Sequence, residues 1–262
     1  MTKKLFTFTV LVLLSLSLSS CQMVQKLQAR DHLNKGVQAF KAQKFDLAID
    51  HFKQAIELDP ELKDAELYLA TGYAQQFLPH SPSEENQKIA NLAVQTFQKV
   101  LDKDPKNATA LAGIASIYQN NDQYDKAREA YMKNAQVDPQ NHIPFYAVGS
   151  VDWIIVHNTE SKLSPEEKGT LIEEGMQYLD KAMAINPDYE DTLWYQNLLL
   201  REKALMIDDK IKTTKDKNAQ KQMMSESEAL KAKADDWSNQ ALAVRKKNAE
   251  KKSGPGGIEL DK

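Results

Sequence analysis

The chain has 262 residues, with 34 Lys+Arg against 37 Asp+Glu and a formal net charge of −3. That balance excludes bulk nucleic-acid binding, in which a basic surplus supplies most of the affinity. Hydrophobic residues at 42%, charged residues at 27%, nine Gly and nine Pro describe a globular chain, not a disordered or collagen-like one. A single cysteine excludes an intrachain disulfide and a Cys-rich zinc site.

At the N-terminus, Lys3 and Lys4 precede an uncharged stretch from Leu5 to Leu18. The stretch is shorter than the roughly 20 apolar residues of a comfortable membrane span, and it has the layout of a secretory signal peptide. It closes on Leu18-Ser19-Ser20-Cys21, an aliphatic residue and two small ones before the sole cysteine. This resembles the lipobox of bacterial lipoproteins. The resemblance implies cleavage of residues 1–20, acylation of Cys21, and residues 21–28 acting as anchor and linker. The expected address is the periplasmic side of the cell envelope, and Gln22, in place of Asp, leans toward the outer membrane. One acyl chain holds a protein only marginally, at roughly 0.8 kcal/mol per buried CH₂, so a multiply acylated cysteine is a physically sensible anchor.

The next region is periodic. Four prolines each follow an acidic or amide residue: Asp59-Pro60, Asp104-Pro105, Asp138-Pro139 and Asn186-Pro187. Twelve residues before them stand Ala48, Ala93, Ala127 and Gly175; eight before, Phe52, Phe97, Tyr131 and Leu179; five before, Ala55, Val100, Asn134 and Ala182. A basic step of 34 residues with small, large and proline columns resembles the tetratricopeptide repeat, a helix-turn-helix module. The resemblance implies an all-α right-handed superhelix over residues 29–205. Its repeats lie at about 29–62, 63–107, 108–141 and 142–189, with a partial one at 190–205. Gly36 and Ala39, Ala70 and Tyr73, and Ala115 and Tyr118 fill the first-helix packing positions. In the fourth repeat Gly149 does so, but Asp152 falls where a packing residue is expected. Proline stops a helix because it lacks an N–H and crowds the preceding turn. A single two-helix module cannot bury its apolar face alone, so modules stack.

Two of the steps exceed 34 residues. The extra residues fall around Leu78–Ser83 and around Asn158–Pro165, inside the turns between the two helices of a repeat. Ser83-Glu84-Glu85-Asn86 and Ser164-Pro165-Glu166-Glu167 read as helix starts, with a capping serine and an acidic first turn. Such turns tolerate insertion; alternatively they form a second contact surface.

Residues 206–252 read as a long C-terminal helical arm. Met223, Leu230, Trp237 and Val244 recur every seven, while Ser227 and Asn248 weaken a second row holding Ala234 and Ala241. Two uses fit: a cap over the last repeat, or a short coiled coil. Residues 201–252 carry 14 Lys+Arg against 9 Asp+Glu, leaving the repeat body acidic. Arg245, Lys246, Lys247, Lys251 and Lys252 suit a solvated helix end or an anionic contact. Residues 253–262 read as a flexible tail.

No catalytic or cofactor motif is present in the sequence. His32, His51, His80, His142 and His157 are scattered, with no zincin, nucleophile-elbow or phosphate-loop pattern. No metal and no cofactor is expected, and an envelope enzyme is the minor alternative. The main expectation is a scaffold that binds another protein or peptide segment. By the resemblance, the groove is lined by Leu33, Val37 and Phe40; Leu67 and Thr71; Ala112, Ser116 and Asn120; Tyr146, Ser150 and Trp153; and Trp194. Each of these either meets a partner or packs within the stack. The Lys/Arg/Asn clamp of some chaperone-binding members is missing at Leu33, Val37, Ala112 and Ser116. An assembly lipoprotein for outer-membrane proteins or type IV pili is the second role of the same class. The oligomeric state is left open.

Overall fold

The computed structural model describes the backbone of residues 2–158 and 162–253, and the side chains of residues 22–158 and 162–251. The signal-peptide side chains, the side chain of Cys21 and the tail from residue 254 onward therefore lie outside the described residues. Among the described residues there are ten α-helices and no strand.

The chain divides into two compact bodies, Met1–Asn121 and Asp122–Lys262. The first holds α1 (Thr2–Lys41), α2 (Phe45–Leu58), α3 (Ala65–Gln76), α4 (Glu84–Lys103) and α5 (Ala108–Asn120). The second holds α6 (Tyr124–Val137), α7 (His142–His157), α8 (Pro165–Ile185), α9 (Glu190–Thr213) and α10 (Lys217–Ser253). In each body every helix packs on the next in sequence. Residues 21–28, expected as anchor and linker, are helical as part of α1.

Most positions of the small and large columns are buried, while Tyr131 is half-buried and the four prolines are exposed. Ala48, Ala93, Ala127, Phe52, Leu179, Ala55 and Ala182 are fully buried, and Phe97 is nearly so. The small residues permit close helix approach. A Cβ on Gly36 would lie 2.4 Å from the Phe52 ring, and one on Gly149 would lie 2.5 Å from Leu179 Cγ.

The Asp/Asn-Pro junctions do more than stop helices. At each one the N–H of Asp59, Asp104, Asp138 or Asn186 still donates to the carbonyl four residues back, completing the helix. The carbonyl of the same residue accepts from the N–H three residues on (Leu62, Asn107, Asn141 and Tyr189), closing a β-turn with proline at its second position. At three of the four, the side-chain oxygen also accepts a backbone N–H two residues on, from Glu61, Lys106 and Asp188. A short polar side chain at this column thus satisfies a donor that no helix serves.

The helix starts that follow the lengthened turns are capped as expected. Ser83 accepts from Asn86 N, and Ser164 forms a reciprocal capping box with Glu167. In the first body the Asn86 side chain, 3% exposed, accepts from Leu78 N and donates to the carbonyls of Leu78 and Ser81. Gln87 exchanges two hydrogen bonds with Asn121, and His80 N donates to Asn120 O.

The arm differs from the expected boundary. α9 runs through residue 213, and α10 folds back along it as an antiparallel partner. Ser227, Ala234 and Ala241 are buried against α9, while Met223, Leu230, Trp237 and Val244 flank them, half-buried. The second row is the inner one. Its polar members anchor the pair: Ser227 donates to Asp208, and Asn248 donates to the carbonyl of Asp188. Lys247 and Lys251 both reach the Asp188 carboxylate, so part of the basic cluster serves the helix pair itself.

Candidate partner-binding surface

In the second body, α7 and α9 together carry a strip of aromatic side chains. Tyr146 and Trp153 come from α7, seven residues apart and so on one helix face; Tyr195 comes from α9, and Tyr189 stands at its N-cap. The strip is continuous. Tyr189 lies 5.0 Å from Tyr146, Tyr146 lies 5.6 Å from Tyr195, and Tyr195 lies 5.7 Å from Trp153, centroid to centroid. Interplanar angles of 71–84° place each ring edge-on to its neighbour, the arrangement ring quadrupoles favour. His142 extends the strip at the Tyr189 end, and His157 stacks on Trp153 at the other, 4.8 Å away. All four Tyr and Trp rings are partly exposed. Tyr146, Trp153 and Tyr195 pack on the cluster of Val156, Ile172, Leu179 and Leu199.

Carboxylates bracket the strip. Glu202 holds His157 Nδ1 at 2.6 Å, and Asp191 acts on the Tyr189 hydroxyl. Burial pushes the hydroxyls of Tyr146, Tyr189 and Tyr195 above the ordinary tyrosine range, reinforced for each by the charge of Asp191. All three are therefore neutral O–H groups at physiological pH. Burial also lowers His142 from its ordinary value.

Toward α6 and α8, α7 takes part in a charged network. Asp152, fully buried on α7, accepts from Arg128 on α6, whose guanidinium also reaches Glu174 on α8. Burial pushes the Asp152 carboxyl up to about 6, against the pull of Arg128. The residue that looked like a defect in the packing column is therefore the acceptor of a cross-helix tie. Its small companion Gly175 leaves room for it: a Cβ there would lie 3.0 Å from Asp152 Cβ.

The structure distributes the other expected groove residues unevenly. Leu33, Val37 and Phe40 pack, half-buried, against Ala39, Ala48 and Phe52 in the first body. Leu67 and Thr71 are half-buried, and the Thr71 hydroxyl is spent on Leu67 O. Ser116 is exposed beside Asn120, while Ala112 and Asn120 are half-buried. Ser150 is 4% exposed and donates to Ala147 O, so its expected groove role gives way to a helix-internal bond. Tyr146 and Trp153 join the strip; Trp194 is half-buried and forms no part of it. Sequence reasoning missed Tyr189 and Tyr195. Tyr195 follows Trp194 directly, and only the helix phase of α9 decides between the two neighbours.

Two further clefts occur at equivalent places. One of about 1000 Å³ lies between the first turns of α2 and α4, over the end of α3, with Leu47, Leu78 and Leu92 exposed around it. Another of about 690 Å³ lies beside the first turns of α8 and the last of α9, floored by Met206, Ile207 and Gly169. Among the described residues, no group of three or more His, Cys, Asp or Glu is arranged to hold a metal ion. Nor, among them, is any helix long and apolar enough to cross a membrane.

Stacked helical hairpins with these columns define the solenoid class of protein-interaction scaffolds. The model of the tetratricopeptide repeat matches residues 29–62, and a second such model matches residues 90–144. The chain therefore carries tetratricopeptide repeats. Its fold is similar to a crystal structure of MamA protein, with TM-score 0.55, 16% identity, and coverage of 90% of this chain and 97% of that one. It is similar also to MamA from Desulfovibrio magneticus RS-1 (0.56, 14%, covering 84% and 96%). A tetratricopeptide repeat protein from Parabacteroides merdae gives 0.54 and 15%, covering 84% and 78%. At these identities the likeness is one of fold. No curated protein matches the sequence.

Proposed function

We propose that the chain is a non-catalytic adaptor, held at a membrane of the bacterial envelope through an acylated Cys21, that grips a segment of a partner protein. The carrying observation is the aromatic strip of α7 and α9. Four Tyr and Trp rings, partly exposed and fixed edge to face on two packed helices, form a rigid surface with little side-chain entropy left to lose. The tetratricopeptide repeats support a protein partner over a small substrate. The lipobox-like Leu18-Ser19-Ser20-Cys21 supports the anchor.

Two measurements test this reading. Cys21→Ala should move the protein from the detergent phase to the aqueous phase on temperature-induced partitioning; unchanged partitioning removes the anchor. A photo-crosslinker at position 157, where the histidine side chain is 62% exposed beside Trp153, should trap a discrete partner in native membranes. The same probe at Glu228, exposed on α10, is the control. Equal trapping at both positions removes the strip as the binding face.

A further inference from the structure

A helix that meets the folded body along only part of its length presents the rest to water or to another surface, and side-chain chemistry decides which. α1 changes character at Ala29. From there onward its apolar residues face the first body: Ala29 and Ala39 are buried, and Leu33, Val37 and Phe40 pack on the cluster around Phe52. Residues 22–28, before Ala29, are all exposed. Among them Met23 is 68% exposed, Leu27 61% and Val24 52%, so three large apolar side chains stand in water within five residues.

The three share a face. At roughly 100° per residue, Met23, Leu27 and Val24 fall within an arc of about 100°, and Ala29 lies about 160° round the helix from Leu27. The stripe therefore points away from the body on which Ala29 packs. Lys26 and Arg30 stand beside it: with Gln22, Met23 and Leu27 they line one shallow cleft of about 320 Å³. The first acidic residue of the chain is Asp31, so the segment 22–30 carries two cations and no anion.

Charge separates the occupants. A second copy of this helix laid on the stripe would bring Lys26 and Arg30 against their own kind. An anionic bilayer takes both parts at once, the apolar side chains into the acyl boundary and the long basic side chains up to the phosphates. Position agrees with charge. Leu27 follows Cys21 by six residues, so it sits within about 9 Å of the anchor point along the helix axis. Stable attachment takes more than one signal, and an apolar stripe with basic residues beside acyl chains is such a combination.

We propose that residues 22–30 of α1 form an interfacial helix lying against an anionic lipid surface, with Met23, Val24 and Leu27 in the acyl boundary and Lys26 and Arg30 at the phosphates. This rests on the reading that Cys21 is the membrane anchor. It makes the segment after the anchor a second lipid contact, not a free tether.

The test attaches a fluorescent dye through Leu27→Cys or Gln25→Cys in the full-length chain, purified from membranes and returned to vesicles of phosphatidylglycerol and phosphatidylcholine. Acylation of Cys21, the only native cysteine, leaves the introduced thiol free for labelling. Positions 25 and 27 are both exposed and stand about 160° apart round the helix. Quenching by nitroxide-labelled lipid should be about threefold stronger at 27 than at 25, and at 27 it should fall about twofold in vesicles of phosphatidylcholine alone. Equal quenching at the two positions overturns the proposal, because a mere tether shows water to every face. Equal quenching at 27 in the two kinds of vesicle overturns the anionic surface. Excimer emission from pyrene at 27 overturns it in favour of a second copy. Equal quenching at both positions, with a photo-crosslink from 27 to a different protein in native membranes, overturns it in favour of a protein partner. Detergent partitioning of the same labelled chain separates the failures. Equal quenching in a chain that enters the detergent phase removes the stripe and leaves the anchor; a chain that stays in the aqueous phase removes both.

Discussion

Gly149→Ala and Gly169→Ala make the same chemical change in adjacent helices and should move stability in opposite directions. Each exchanges glycine for the best helix former, a gain of about 0.8–1 kcal/mol in an interior position. At Gly169 the new methyl would meet only Met206 Cε, at 3.8 Å, an ordinary contact with the end of a flexible side chain. The gain should survive almost whole, about 0.5–1 kcal/mol. At Gly149 the methyl would lie 2.5 Å from Leu179 Cγ and 2.9 Å from the carbonyl oxygen of Gly175. Leu179 is fully buried, its Cγ is a branch point, and the carbonyl belongs to α8 itself, so neither can swing aside. Overpacking costs about 1–3 kcal/mol, and contacts this short with a branch point and a backbone oxygen belong to the upper part of that range, about 2–3, leaving a net loss of about 1–2. Urea unfolding followed by circular dichroism reads both as midpoint shifts at constant slope. Equal or greater stability in Gly149→Ala would falsify the close crossing of α7 and α8. No gain in Gly169→Ala would show that the opening beside Met206 is not as described.

Asn86→Ala should cost about 2–3 kcal/mol, since one buried amide satisfies the N–H and C=O of Leu78 and the carbonyl of Ser81. Limited proteolysis should then cut within residues 77–83; an uncut, equally stable variant rules out the pinning role. Asp152→Asn should change the pH dependence of stability. Burial raises the Asp152 carboxyl from 3.8 to about 6, so the folded chain holds that proton more tightly than the unfolded one. The associated stability is fully present below about pH 4 and is lost as the pH rises through 6. The wild type should therefore lose stability relative to the Asn variant between pH 4 and 7. A wild-type-minus-variant difference that is equal at pH 4 and pH 7 refutes this.

Much of the fold was legible because the repeat encodes it several times over. The small and large columns reported buried crossings from Ala48 and Phe52 to Gly175 and Leu179, and the exposed proline column reported where helices end. Less legible was what depends on a partner distant in sequence. Asp152 looked like a fault in a packing column because its Arg128 tie spans three helices. Ser227 and Asn248 looked like weaknesses in an apolar row, yet they are polar anchors, since their acceptors lie on α9 and just before it. The Asp and Asn of the proline junctions entered the sequence reading only as the residues before each proline; their task of accepting an N–H two positions on is local and could have been read from turn chemistry. Within the strip, Tyr146 and Trp153 followed from the register. Tyr195 did not, because neighbouring aromatics at 194 and 195 differ only in helix phase.

The pairing of α9 with α10 also bears on self-association. A stack of helical hairpins is open-ended by nature: whatever buries one module can add another, and two molecules could concatenate tail to tail. Here the small-residue row of α10 is already consumed by α9, while Lys221, Glu226, Glu228, Lys233, Asp235, Asp236 and Arg245 line its water-facing sides with both signs of charge. Among the large apolar side chains described on α10, only Met224 and Leu242 are exposed. A second molecule arriving at that face would have to strip water from ions and gain almost no grease in return, which opposes growth into fibres at this helix.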